Sequence, residues 1–121
     1  MRLIRPLVLL PLVSCIVVAC GGSDSTTTPP TSTNKTVDVF TVGTTFSPSQ
    51  LAIKTGDTLR FNFAIAPDGM GHDVTFTQKT GVPQNIPVTK TGTVARVFTT
   101  KGSFHFDCFV HPGMSGDVDV Q

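Results

Sequence analysis

"LRFNFAI", residues 59–65, alternates Leu59, Phe61, Phe63 and Ile65 with Arg60, Asn62 and Ala64. A period of two puts the four large apolar side chains on one face of an extended chain, as in a half-buried strand. The same kind of pattern recurs on both sides. "VDVFTV" (37–42), "HDVTF" (72–76), "TVARVFT" (93–99) and "SFHFDC" (103–108) are rich in β-branched and aromatic residues. "GDVDV" (116–120) alternates Val118 and Val120 with Asp117 and Asp119. Turn residues separate these runs: "TGD" at 55–57, "PDGMG" at 67–71, "TG" at 91–92 and "KG" at 101–102. No stretch carries a helical period. Short strands at regular spacing predict an all-β fold, a sandwich or a barrel. Segment 77–92 holds Pro83 and Pro87 and reads as a loop or an irregular edge.

Upstream of the strands the composition changes twice. "MRLIR" is a short positive segment, and "PLVLLPLVSCIVVA" is an apolar run interrupted by Pro6 and Pro11. The run is short for a bilayer span of about 20 residues and reads as an export signal, residues 1–19. "VVAC" before Gly21 and Gly22 resembles the lipobox of bacterial lipoproteins, whose Cys is lipidated and becomes the first mature residue; here that is Cys20. "LVSC", ending at Cys15, fits the same loose pattern, but cutting there leaves apolar "IVVA" on the mature chain. An ordinary signal peptide or an uncleaved anchor are the competing readings. Residues 20–35 are small, polar and Pro-containing, and read as a disordered tether. Its end-to-end distance is about 20 Å, which keeps a folded head near a membrane. The folded domain is then 36–121, and the localisation is exported and lipid-anchored, on the periplasmic or cell-surface side.

All eight acids are Asp, and Lys and Arg total nine. Removing residues 1–19 takes away Arg2 and Arg5 and leaves a net charge of −1. A nearly neutral surface steers little at long range, so partners dock through local apolar contact. The few basic residues form no run or stripe, which argues against nucleic acid.

With Cys15 and Cys20 in the export segment, Cys108 is alone in the folded domain and has no internal disulfide partner. An inert core Cys is the plain reading. Its neighbours change that reading: "CFVHPGM" spaces Cys108, His111 and Met114 at three and three. Thiolate, imidazole and thioether together suit copper. A trigonal site needs one more nitrogen. His105 points to the face opposite Phe104 and Cys108, so it is expected on the surface. His72 opens a strand directly after "DGMG" and is the remaining candidate.

These residues resemble the cupredoxins, the blue copper proteins of the plastocyanin, amicyanin and azurin group. "FSPSQLAIKTGDTLRFNF" is similar to the family's first two core strands. "GHDVTF" resembles its first-ligand His and following strand, and "FHFDCFVHPGMSGDVDV" its ligand loop and closing strand. The resemblance spans 36–121 and implies a Greek-key β-sandwich with one type 1 copper. It implies His72, Cys108 and His111 as equatorial ligands and Met114 as a weak axial ligand. The Gly71 carbonyl becomes a possible second axial donor, and the Asp73 backbone N–H a donor to the Cys108 sulfur. Asp73 and Phe109 replace the Asn and hydroxyl residue that tie the two ligand loops together in the family, so loop coupling is left open. The His111 ring edge is expected to reach solvent among Met70, Phe109, Pro112 and Gly113, an apolar docking patch for redox protein partners.

The function expected is a membrane-tethered, monomeric carrier of single electrons. It is not an enzyme and has no small-molecule substrate, since a saturated copper leaves no open position. The alternative is an extracytoplasmic copper-binding or delivery protein without redox traffic. A metal-free structural head fits less well, because all four ligand types are present.

Overall fold

The computed structural model describes residues 33–121. The export signal, Cys15, Cys20 and the tether up to residue 32 lie outside the described residues. Nine strands follow in order: β1 (Thr36–Val42), β2 (Thr45–Ser47), β3 (Gln50–Ile53), β4 (Thr58–Phe63), β5 (His72–Phe76), β6 (Ile86–Thr89), β7 (Gly92–Val97), β8 (Gly102–Asp107) and β9 (Ser115–Val120). Among the described residues there is no helix. The strands form two sheets, ordered β2-β1-β4-β7 and β3-β9-β8-β5-β6. The all-β fold expected from the alternation is observed, and of the two alternatives, sandwich or barrel, it is the sandwich.

β1 pairs β4 in parallel, and β3 pairs β9 in parallel. The chain leaves the first sheet after Ser47 and joins the second at Gln50, so β2 and β3 sew the two layers together. Both are short, three and four residues. β6 lies within segment 77–92 as an edge strand on β5, with a register irregularity between His72 and Val74. An edge position tolerates Pro87, which has no N–H to donate.

β4 follows the predicted phase, with Leu59, Phe61 and Phe63 buried and Arg60 exposed. Ile65 departs from it. The strand ends at Phe63, the Ala64 N–H donates to the Thr41 hydroxyl (2.8 Å), and the alternation slips. Ala66 is buried instead, and Ile65 is 56% exposed. On the solvent side Arg60 grips Asp38 with two guanidinium hydrogen bonds, 2.6 and 2.8 Å. With Asn62 they hold the Asp38 carboxyl at about 2.

The core is built on phenylalanine. Phe106 meets Phe46, Phe61 and Phe76 with ring centroids 5.0, 5.5 and 5.8 Å apart, each close to edge-on. Phe98 packs on Phe76 and Phe104 at 5.9 and 5.8 Å. Edge-to-face pairs suit the ring quadrupole. Gly116 lies opposite Phe106 in the β8–β9 ladder, where a Cβ would come 2.5 Å from the Phe106 ring. The glycine makes room for the ring at the centre of the core.

Candidate metal centre

Three of the expected ligands come from strand ends at one end of the second sheet. His72 is the first residue of β5, Cys108 follows β8, and Met114 directly precedes β9. The loop between Cys108 and Met114 closes on itself. The Cys108 N–H donates to the Met114 carbonyl (2.9 Å), and the Met114 N–H to the His111 carbonyl (3.1 Å). Gly113, with φ +88°, supplies the left-handed turn that this closure needs. Pro112 fixes φ beside it.

The side chains converge in a buried cluster. Donor atoms of His72, Cys108 and His111 all lie within 4.8 Å of one another. Cys108 Sγ is 3.6 Å from His111 Nδ1, and the two imidazole centroids are 4.6 Å apart. Met114 is buried beneath the same loop. His72 is fully buried, and neither of its ring nitrogens has a hydrogen-bond partner. Leaving a buried polar group unpaired costs about 1–3 kcal/mol. A bound cation would satisfy one of the two nitrogens, and soft or borderline N and S donors select copper or zinc over magnesium or calcium. Burial, then the nearby His111 ring, holds the His72 imidazole below its usual range, so it is neutral with a free lone pair. Burial pushes the Cys108 thiol up, opposed by the backbone N–H groups of Asp73 and His111. A cation in the cluster favours the thiolate.

Asp73 joins β5 to the ligand loop. Its Oδ1 accepts from the Val110 N–H (3.2 Å) and from the Cys108 thiol (3.3 Å), and its Oδ2 from the Thr75 hydroxyl (3.0 Å). The tie that Phe109 does not provide therefore comes from the neighbouring backbone amide at Val110.

No family model and no curated protein matches the chain in sequence. Solved structures do. A reduced Cu(I) form of an amicyanin variant at pH 4 is 28% identical, over 71% of this chain and 82% of that one, with a TM-score of 0.57. Another amicyanin variant with Cu(I) is 25% identical over the same shares, with a TM-score of 0.60. A copper-containing nitrite reductase from Thermus scotoductus SA-01 is 29% identical over 70% of this chain, with a TM-score of 0.59. This chain spans only 22% of that reductase's length.

The chain has the cupredoxin fold. Its His72, Cys108 and His111 cluster with Met114 fits a single type 1 copper site. The remaining histidine stands apart, as its strand phase predicted. His105 lies on the outer face of β8, with Nδ1 2.7 Å from Asp117 and Nε2 3.2 Å from Asp107. The Asp117 hydrogen bond raises its pKa.

Gly71 is buried, and a Cβ there would come 2.8 Å from the Thr89 carbonyl oxygen. The close approach of the β5 entry to β6 accounts for a glycine at this position, whatever its own carbonyl does. Met70 (50% exposed) and Phe109 (75%) do reach the surface near the ligand loop, as do Pro112 and Gly113. The His111 ring does not lie open among them: the residue is only 7% exposed, and Asp68 Oδ2 stands 3.2 Å from its Nε2. Sequence reading placed 67–71 in a turn but passed over Asp68. The signal available was an Asp followed by Gly, a pair that often turns its side chain onto the backbone two residues on.

Proposed function

We propose that this chain is a cupredoxin that carries single electrons between redox protein partners, on one copper held by His72, Cys108 and His111 with Met114 as a weak axial ligand. The observation that carries the reading is the buried His72 ring, whose two nitrogens lack partners beside a thiol and a second imidazole. Copper supplies the one-electron couple. The protein supplies rigidity. β5 holds His72, the self-closed loop holds Cys108, His111 and Met114, and Asp73 couples the two. A site fixed in this way changes little between oxidation states, which suits fast transfer. Four protein donors leave no position for a substrate, so the domain acts as a carrier and not as an enzyme. The Gly71 carbonyl is a further candidate axial donor, and Met70, Phe109, Pro112 and Gly113 form the docking patch.

Voltammetry of the copper-loaded protein tests this reading. A reversible one-electron wave is expected, with copper retained through many cycles and in the presence of a Cu(I) chelator. Ready loss of Cu(I) on reduction would instead make the protein a delivery protein.

The N-terminal reading adds an export signal over 1–19 and a lipid on Cys20, which places the domain at a membrane by way of the 20–35 tether. Mass spectrometry of the mature N-terminus is expected to find Cys20 diacylated. A free amine on Ser23 or a later residue would end the lipoprotein reading.

A further inference from the structure

The turn before β5 aims a carboxylate at the outer edge of a copper ligand. Asp68 Oδ1 accepts from the Met70 N–H (2.9 Å). Backbone bonds from Ala66 to Met70 (3.0 Å) and from Gly69 to Ala66 (2.9 Å) fix the same turn. The direction of the side chain is therefore set by its own loop. Its second oxygen, Oδ2, lies 3.2 Å from His111 Nε2. A carboxylate only accepts hydrogen bonds, so Nε2 carries the proton. Nδ1 then carries the lone pair, and it is the nitrogen that faces Cys108 Sγ at 3.6 Å.

We propose that Asp68 is a positioning residue for His111. Its carboxylate selects the Nε2–H tautomer and opposes rotation of the ring, so that Nδ1 stays aimed into the cluster. A carboxylate behind a ligating imidazole also makes that imidazole a stronger donor. A stronger donor favours Cu(II) over Cu(I), so Asp68 lowers the reduction potential. The proposal rests on the copper reading above for its second half only; the hydrogen bond is a property of the protein itself.

Asp68→Ala and Asp68→Asn in the full chain test it, with two readouts. In metal-free protein, nitrogen NMR should show a His111 Nε2–H protected from exchange. Asp68→Ala is expected to lose about tenfold of that protection, the low end of what a charge-assisted hydrogen bond is worth. Asp68→Asn, which keeps an amide oxygen, should lose less. In copper-loaded protein the potential should rise in both, and further in the alanine variant. Equal rises in the two variants with Nε2–H exchange unchanged would overturn the proposal, because the carboxylate then acts only as a charge. An unchanged potential and unchanged exchange in Asp68→Ala overturns it outright. A protected Nε2–H in a chain that takes up no copper refutes the copper reading and the effect on potential, and leaves the positioning of the ring standing.

Discussion

Cys108→Ser, loaded with Cu(II), is expected to lose nearly all of the intense blue or green absorption expected of the wild-type protein. That band arises from charge transfer between a thiolate and Cu(II), and Cys108 is the one cysteine among the described residues. A serine hydroxyl is a harder, less basic donor and gives no comparable transition. His72→Ala should also abolish the strong colour, because it removes one of the two nitrogens that line the cluster with the sulfur. His105→Ala is the control. Its ring is engaged with Asp107 and Asp117 on the far side of β8, and the spectrum should stay nearly intact. Absorption spectra during Cu(II) titration of the three variants provide the check. Colour lost with His105 and kept with His72 would reverse the ligand assignment, and a colourless wild type would remove copper from the account.

Phe106→Ala is expected to be the most damaging core substitution, at about 3–5 kcal/mol. Phe106 is completely buried and touches three other rings, Phe46, Phe61 and Phe76. Those rings come from β2, β4 and β5, so the cavity would open between the layers, where no single strand can shift to fill it. Domains of this size have a total stability of only about 5–15 kcal/mol. The variant should unfold at a much lower denaturant concentration, or fail to fold. Urea titration followed by circular dichroism measures the change, and a loss below about 1 kcal/mol would mean that Phe106 is not the keystone of the core.

How much of this was visible in the sequence depended on how local each signal was. The alternation in 59–63 fixes a strand because it needs only its own residues, and the Cys108–His111–Met114 spacing is legible for the same reason. β2 and β3 are too short to show a period, and their pairing partners are distant in sequence. Ile65 fits the alternation, yet it is turned out by a bond from Ala64 to Thr41, 23 positions away. His72 was found by exclusion, since the strand phase removed His105. The Asp68–His111 contact spans 43 positions and has no spacing rule that could reveal it. The same holds for the Asp73–Val110 bond, which spans 37 positions.

The phenylalanine core has a consequence for the route an electron takes. Long electron paths through proteins are often relayed by Trp or Tyr, whose rings can be oxidised for an instant and refilled. These 121 residues contain neither, and the rings stacked behind the metal cluster are all Phe. Phe is far harder to oxidise, so the sandwich interior offers charge no aromatic stepping stones from the cluster to the opposite end of the sandwich, and only direct tunnelling remains there. On the electron-carrier reading proposed above, donor and acceptor would both be served at the end of the sandwich that bears the ligand loop, one after the other. The molecule would then work as a shuttle that lets go of one partner before meeting the next, rather than as a wire clamped between two.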